Sequence, residues 1–327
     1  MNSKLIAIAG GSLAVYIVLA LMMGVIPGYE LSQTPPGPGV KPLTPLEAEG
    51  REVYVANGCS YCHTQQVRPV PEDKVFGRPS TPGDFAYQTP ELLGSERTGP
   101  DLTDVATRRG SDVWQYIHLY NPRAVEPGSI MPAFPFLFEV VDETPPGVTP
   151  VPIPKAYAPA HGVVIPTRQA QALVAYLLSL KQPPLPGAQA QTSAEAVPST
   201  QAAPASTSAT PSASVNLARG KPLFEANCAA CHQSNGEGLP GAFPALKGNA
   251  VANAEDATEH IRIVLFGLQG KTIDGVKYAS PMPAWGAQFD DQQIADIIDY
   301  ERSAWGNHGA PVTAADVAKV RAAGEGK

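Results

Sequence analysis

The string "GREVYVANGCSYCH" at residues 50–63 is matched in outline by "GKPLFEANCAACH" at residues 220–232. Each copy has a glycine, an aromatic residue four positions later and then a Cys-x-x-Cys-His string; the glycine and aromatic pairs are Gly50 with Tyr54 and Gly220 with Phe224. A pattern that occurs twice predicts two copies of one small structural unit. The 327 residues are long enough for two ordinary domains and their connections.

Helical patterns flank both strings. Before the first string, Thr44 is a candidate N-cap, Pro45 suits the first helical position and Glu47 is placed to close a capping box. Two later segments, residues 167–182 and 290–305, carry apolar residues at helical spacing. These residues are Ala172, Leu173, Tyr176, Leu177 and Leu180 in the first segment and Ile294, Ile297, Ile298 and Tyr300 in the second. The sequence therefore predicts an all-α fold.

A segment of different composition separates the two copies. Residues 183–214 hold a single charge, Glu195, and no aromatic residue, so they lack the apolar surface that offsets the entropy of ordering. We predict that this segment, rich in Pro, Ala, Ser and Thr, is a disordered linker with a reach on the order of 30 Å. The predicted domains are residues 44–182 and 215–308, and the tail at 309–327 is expected to be peripheral.

Residues 5–26, "LIAIAGGSLAVYIVLALMMGVI", are uncharged and mostly apolar. At about 1.5 Å per residue, a helix of this length crosses a hydrocarbon layer roughly 30 Å thick. Because Lys4 is the only charge before it, the positive-inside rule predicts a single-pass anchor with a cytoplasmic N-terminus, in the inner membrane of a bacterium, with the domains on the periplasmic side. The alternative is a cleaved signal peptide, although "MMGVIPGY" offers no small-x-small cleavage site. We place the anchor in residues 1–30 and expect a proline- and glycine-rich hinge over residues 27–43.

Charge and cysteine content exclude two classes of function. Thirty acidic residues against 23 basic ones give a net charge of −7, and the chain has no lysine or arginine run. This balance argues against a nucleic acid held through its phosphates. All four cysteines lie inside the Cys-x-x-Cys-His strings, so none is left for a structural disulfide.

Three kinds of site can use a Cys-x-x-Cys-His string. A thioredoxin-like dithiol requires a βαβ pattern, which neither copy has. Structural zinc requires four ligands, and the remaining histidines occur one at a time, at His118, His161, His260 and His308. Covalent haem c uses every residue of the string, because two thiols attach the group and the histidine binds the iron. We therefore predict two haem c groups, attached at Cys59 and Cys62 and at Cys228 and Cys231, with His63 and His232 as axial ligands.

Methionine is the expected ligand on the other side of each iron. Outside Met1 and the apolar segment there are two methionines, Met131 and Met282, and each follows one string and stands beside a proline. A lone methionine is more often a flexible filler of a core. Two of them in matching proline-braced positions favour ligation of the iron. His118 and His161 are the alternative ligands in the first copy.

Weaker signals surround these ligands. Each copy has a Pro-x-Leu string between its histidine and its methionine, beginning at Pro100 and Pro244. A proline carbonyl there could accept the second N–H of the histidine, or the string could be an ordinary turn. Arg108 and Arg109 could bind haem propionates or could lie on a solvated face. A haem with both axial positions filled binds no substrate, and methionine ligation raises its potential. The sequence thus predicts one-electron transfer and no catalysis by the chain alone.

The first copy resembles a known family. Residues 45–138, with "RP" after the haem string and then "RTGPDL", "HLYNPR" and "MPA" in order, are similar to the membrane-anchored mono-haem subunit II of cbb3-type cytochrome c oxidases. The resemblance implies haem attachment at Cys59 and Cys62 and axial ligands His63 and Met131. It also implies a place in a proton-translocating respiratory oxidase beside the haem-copper catalytic subunit. The second copy resembles small class I cytochrome c domains that are fused to oxidases and dehydrogenases.

The sequence departs from that family in two places. A proline-rich insertion occupies residues 139–166, and a second cytochrome-like domain follows the linker. We expect electrons to pass from a soluble or membrane-bound cytochrome donor to the second haem, then to the first, then to the catalytic subunit. The alternatives are a cytochrome subunit of a nitric oxide reductase or a periplasmic dehydrogenase, and a free-standing anchored carrier. Arg68, in "TQQVRP", is a candidate contact with the oxidase.

Overall fold

The computed structural model describes residues 3–183, 213–270, 272–273, 276–278 and 280–324. The fold is mostly helical, which confirms the predicted class. The described residues form two compact units: one contains residues 3–44, 58–104 and 181–183, and the other contains residues 45–57, 105–180 and those from 213 on. The predicted linker lies outside the described residues except at its two ends, and the predicted domain limits remain predictions.

The α-helices are α1 (Ser3–Ala20), α2 (Ile26–Ser32), α3 (Pro45–Ala56), α4 (Val105–Arg108), α5 (Asp112–Tyr120), α6 (Arg168–Ser179), α7 (Ala213–Asn227), α8 (Ala229–His232), α9 (Ala250–Asn253), α10 (Thr258–Phe266), α11 (Asp291–Ser303) and α12 (Ala314–Ala323). Short 3₁₀ turns cover Cys59–Tyr61, Pro71–Phe76, Pro82–Phe85, Pro122–Ala124, Pro135–Leu137 and Ala304–Gly306. The strands are β1 (Phe138–Val141), β2 (Val163–Pro166), β3 (Thr272–Ile273) and β4 (Val276–Lys277).

The N-terminal helix is longer than the sequence predicts. It runs from Ser3 to Ser32 through α1, a π-helical turn at Leu21–Val25 and α2, with a mean hydropathy of 2.4 in its most apolar window and no residue of that window buried. The expectation that the hinge begins at Pro27 is wrong. The π turn, in which the Ile26 N–H donates to the Leu21 carbonyl, shifts the hydrogen-bond register just before Pro27, so the proline stands at the start of a new helical segment and the missing N–H does not stop the helix.

The repeated glycines mark two equivalent helix crossings in the second unit. Helix α3 crosses α6 at Gly50, where a Cβ atom would lie closer than 3.0 Å to the carbonyl oxygen of Ala172. Helix α7 crosses α11 at Gly220 in the same way, against the carbonyl oxygen of Asp296. The aromatic rings four residues on then meet at each crossing, with ring centroids 5.5 Å apart for Tyr54 and Tyr176 and 5.3 Å apart for Phe224 and Tyr300. The sequence repeat is therefore a repeated packing arrangement.

The proline-rich insertion begins and ends in a small sheet. Strand β1 pairs with β2 in antiparallel register, with Phe138 opposite Pro166 and Val141 opposite Val163. Val151, in the middle of the insertion, adds a bridge to Val164. The branched side chains of β2 suit this pairing. The pairing brings the two ends of the insertion together just before α6 begins.

The C-terminal segment is part of a core, so the expectation of a peripheral tail is wrong. Val312, Val317 and Val320 are buried in one cluster with Ile261 of α10 and Ile294 of α11. A capping box between Thr313 and Asp316 fixes the start of α12. Three valines in a polar, alanine-rich segment make a narrow apolar face, and this face covers α10 and α11.

Candidate haem sites

The first Cys-x-x-Cys-His string lies on a tight turn. Gly58, with φ of 67°, lets the chain enter a 3₁₀ turn, and the N–H groups of Cys62 and His63 both bond to the Cys59 carbonyl. His63 Nδ1 is 2.7 Å from the Pro100 carbonyl oxygen. Gly99 lies against the imidazole ring so closely that a Cβ atom would require the ring to move. The turn, the proline carbonyl and the glycine together fix the orientation of this imidazole.

The second string has the same local structure on α8. The N–H groups of Cys231 and His232 bond to the Cys228 carbonyl, and His232 Nδ1 is 2.9 Å from the Pro244 carbonyl oxygen. A carbonyl oxygen only accepts, so Nδ1–H donates and Nε2 keeps its lone pair for a metal. Burial lowers the pKa of His232 below its ordinary value, which favours the neutral form that binds iron. The hydrogen bond anticipated from Pro-x-Leu is present in both copies.

The cysteines do not have the properties of a redox dithiol. All four are free thiols, and burial raises the pKa of Cys59 to about 11 and that of Cys231 to about 12. Catalytic dithiols need the opposite shift, because the thiolate is the nucleophile. Among the described residues there is no group of three or more His, Cys, Asp or Glu side chains that could hold a metal ion.

Residues of the second string share one deep cleft with Met282. The cleft has an empty volume of about 1160 Å³ including its open mouth, and Cys228, Cys231, His232 and Met282 all line it. The remaining lining is largely apolar, with Phe243, Val264, Leu268 and Trp285 among its members. Two thiols, an imidazole with a free Nε2 and a thioether on one apolar cleft fit a covalently attached haem c.

Backbone pairing holds Met282 in this cleft. The N–H and carbonyl groups of Met282 pair with those of Leu268 at 2.8 and 3.1 Å, which forms an isolated antiparallel bridge. Gly267, with φ of 80°, lies against the Met282 carbonyl and leaves no space for a side chain. The left-handed turn at Gly267 and the bridge to Leu268 together fix the backbone of Met282.

Met131 lies in a turn of the second unit that an arginine closes. Arg123 donates from Nη1 to the Ser129 carbonyl at 2.8 Å and to the Met131 carbonyl at 3.1 Å. The Met131 N–H bonds to Ser129 Oγ. Sequence reasoning used the string "HLYNPR" for the resemblance but missed that its arginine holds the methionine turn. Pairing of Met131 with His63 remains a prediction.

The alternative ligands have other surroundings. The His118 ring stacks on Trp114 with centroids 4.5 Å apart and ring planes at 13°. His161 is exposed in the insertion. Arg108 and Arg109 both line the cleft of the second string, a position that the sequence did not indicate. Arg109 also approaches Glu126, with 3.5 Å between Nη2 and Oε1.

A buried hydrogen-bonded pair at the second cleft was missed from the sequence. His260 Nε2 is 2.8 Å from Glu301 Oε2, both side chains are almost fully buried, and both residues line the cleft. The position of each residue could have indicated burial. Glu301 comes directly after the apolar residues of α11, and His260 lies among the buried residues of α10. Each residue taken alone is unremarkable in sequence.

The "TQQVRP" segment is held by an internal charge cluster. Arg68 binds the buried Asp73 carboxylate through two side-chain hydrogen bonds at 2.9 and 3.0 Å, and Arg97 pairs with the same carboxylate. Asp101 accepts from the Gln66 N–H and from Thr64 Oγ1. Arg68 thus has a structural partner inside the chain, whatever else its exposed part contacts.

Two protein families match this chain, one in its N-terminal part and one in its C-terminal part. The family described as "Cytochrome C oxidase, mono-heme subunit/FixO" matches residues 2–146, and the family described as "Cytochrome c" matches residues 217–305. The chain is 41% identical over 106 residues to cytochrome c-552 of Thermus thermophilus. The aligned residues make up 30% of this chain and 80% of that protein.

Subunits of dehydrogenases are also similar. The cytochrome c subunit of the quinone alcohol dehydrogenase of Gluconobacter oxydans is 36% identical over 107 residues, or 32% of this chain and 22% of that subunit. The cytochrome c subunit of gluconate 2-dehydrogenase of Pantoea cypripedii is 38% identical over 104 residues, or 31% of this chain and 24% of that subunit. This chain spans about a quarter of the length of each.

Domains of this kind bind haem c covalently, and the chain is a cytochrome c electron-transfer subunit. The N-terminal helix is long and apolar enough to anchor it in a membrane. The chain belongs to the cytochrome c family, and its residues 2–146 are similar to the mono-haem oxidase subunit (FixO) family.

Proposed function

We propose that the chain is a membrane-anchored, two-haem electron-transfer subunit of a cbb3-type haem-copper oxygen reductase. The observation that carries this proposal is the match of residues 2–146 to the mono-haem oxidase subunit, which includes the membrane helix and the whole region from the first haem string to the methionine turn. The second cytochrome domain is an addition to that subunit, and its cleft has its own complete donor set.

Two haem groups are assigned by residue. Cys59 and Cys62 hold the first, with His63 and Met131 as axial ligands. The second is held by Cys228 and Cys231, with His232 and Met282 as axial ligands. Haem c held by these residues would supply one-electron redox chemistry.

The protein's own groups orient these ligands. The Pro100 and Pro244 carbonyls accept from the histidines, which fixes the ring orientation and raises the basicity of the ligating nitrogen. Arg123 fixes the turn of Met131, and the bridge to Leu268 fixes Met282. Arg108 and Arg109 line the second cleft and supply positive charge to a propionate there.

The proposed order of transfer is supported by the position of the membrane helix, which precedes the first domain in the chain. The second domain accepts electrons from a cytochrome donor, and the first domain, next to the anchor, passes them to the catalytic subunit. The N-terminus is cytoplasmic, since Lys4 precedes the helix, and both domains lie on the periplasmic side of the cell membrane. The net negative charge of the chain suits a basic donor.

Extraction of the tagged full chain in mild detergent tests the proposal. A large polytopic haem-copper subunit should co-purify, and the complex should reduce oxygen. A variant that lacks the second attachment pair, Cys228→Ser with Cys231→Ser, should still assemble but lose most oxygen uptake with a soluble cytochrome donor. Normal uptake by this variant would show that the second domain is not on the electron route.

Similarity to dehydrogenase cytochrome subunits supports a second candidate. In that case the chain would accept electrons from a periplasmic dehydrogenase. The same purification separates the candidates, because a dehydrogenase subunit would co-purify in place of the haem-copper chain. Purification of the chain with neither would indicate a free-standing carrier.

A further inference from the structure

Helix α5, in the first cytochrome region, contacts the haem string of the second. The indole Nε1–H of Trp114 donates to the Ala230 carbonyl at 3.1 Å, and Ala230 stands between Cys228 and Cys231. Trp114 is 5% exposed, so this contact is shielded from solvent. The hydroxyl groups of Ser111 and Ser280 form a second hydrogen bond beside it.

The indole ring is held in place from its own side. The Arg109 guanidinium lies 5.4 Å from the ring centroid, and the His118 ring stacks on Trp114. Ser111 Oγ accepts from the Trp114 N–H at 3.1 Å and so caps α5 at the same point where it meets Ser280. Trp114 is therefore a preorganised donor and not a flexible surface side chain.

The other end of α5 leads to the methionine turn of the first region. The Leu119 carbonyl accepts from the Phe134 N–H at 2.9 Å. Asn121, the C-cap of α5, caps the turn that contains Arg123, and Arg123 donates to the Met131 carbonyl. A helix of nine residues, about 14 Å long, thus joins the Met131 turn to the Cys228–Cys231 loop.

We propose that α5 is a built-in docking element that holds the second cytochrome domain with its haem loop against the first, and that Trp114 is the positioning residue of this contact. The inference rests on the proposed function, in which electrons pass between the two domains of one chain. It explains why Arg108 and Arg109 line the second cleft: they stand immediately before the helix that docks there. The docking makes transfer between the haems independent of diffusion of one domain relative to the other.

Proton NMR of the reduced full-length chain tests the contact without reference to activity. The chain has three tryptophans, so Trp114→Phe identifies the Trp114 indole proton by its loss. This proton should exchange with deuterium slowly in the native chain and at least about tenfold faster in Ser280→Arg, which places a charged side chain in the interface. Equal exchange rates in both proteins would contradict docking through Trp114.

Electron redistribution between the haems supplies the second readout. In a Met282→Ala background, carbon monoxide can bind the second iron, and a flash that removes it from the one-electron-reduced chain sends the electron to the first haem. Trp114→Phe, which keeps an aromatic ring but loses the N–H donor, should slow this step roughly fivefold, and Trp114→Ala at least about tenfold. Tyr116→Phe is the control on the same helix and should not change the rate.

Each Trp114 and Tyr116 variant should keep the haem content and the visible spectrum of its Met282→Ala parent. A rate that stays at the native value in Trp114→Ala would overturn the proposal even if the oxidase co-purifies. Failure of an oxidase to co-purify would instead reject the proposed function, and the rate in the isolated chain would still test the docking.

Discussion

Gly220 lies so close to the carbonyl oxygen of Asp296 that no side chain fits between helices α7 and α11. Gly50 has the same relation to Ala172 between α3 and α6. Gly220→Ala should therefore force the helices apart and lower the free energy of unfolding of the second cytochrome domain by about 2 kcal/mol or more. Guanidinium denaturation, followed by the visible spectrum of the haem, measures this loss.

The matched control for this variant is Gly128→Ala. A Cβ atom at Gly128 would meet nothing within 4 Å, and its backbone is not in the left-handed region. Its unfolding free energy should stay within about 0.5 kcal/mol of the native value. If the Gly220→Ala protein is as stable as this control, helices α7 and α11 do not approach as closely at Gly220 as described above.

The Pro244 carbonyl should tune the second haem through His232. Gly238, with φ of 62°, lies against this carbonyl, and a Cβ atom there would displace it. Gly238→Ala should weaken the hydrogen bond, make the imidazole a poorer electron donor and so raise the reduction potential of the second haem. Spectroelectrochemical titration of the full chain measures the change.

Gly248→Ala separates this effect from backbone strain. Gly248 has φ of 71°, so alanine is strained there too, but nothing lies within 4 Å of the added Cβ atom. Its second-haem potential should equal that of the native chain. An equal rise in both variants would assign the shift to general loosening and not to the Pro244 carbonyl.

The Asp73 cluster should make the first unit sensitive to acid. Hydrogen bonds from Arg68 and Arg97 hold the pKa of Asp73 well below its ordinary value of 3.8. A lowered folded-state pKa means that the cluster stabilises the fold above that ordinary value and loses this contribution as the pH falls toward the lowered pKa. Denaturation curves of native protein and Asp73→Asn should therefore differ most near neutral pH and converge under strongly acidic conditions. Parallel curves at every pH would contradict a charged Asp73.

The buried His260 and Glu301 pair should be costly to break. Glu301→Ala leaves the buried His260 side chain without its hydrogen-bond partner and should destabilise the second domain by about 1–3 kcal/mol. Glu301→Gln keeps an acceptor for the imidazole and should restore most of the loss. Glu225→Ala, which removes the exposed partner of Lys221, is the control and should change stability little.

The sequence predicted the parts of the fold that follow from local pattern. Gly50 and Gly220, each followed by its aromatic residue, indicated the repeated unit, and the Pro-x-Leu strings indicated the carbonyls of Pro100 and Pro244. These features are carried by neighbours in sequence, so they can be found without coordinates.

Contacts between distant segments were not predictable in this way. Trp114 and Ala230 are 116 positions apart, and neither belongs to a motif that names the other. In sequence, Arg109 fits a solvated face as well as a haem site. Most residues of the cleft that it lines belong to the other cytochrome domain, far from Arg109 along the chain. The C-terminal valines failed as a signal for a different reason: an apolar face of three residues is too narrow to separate a packed helix from a tail.

The intact mass of the purified, denatured full-length chain shows directly how many haem groups are covalently attached. We expect two, with one lost in Cys59→Ser plus Cys62→Ser and the other in Cys228→Ser plus Cys231→Ser. A native mass with one haem or none would contradict this expectation.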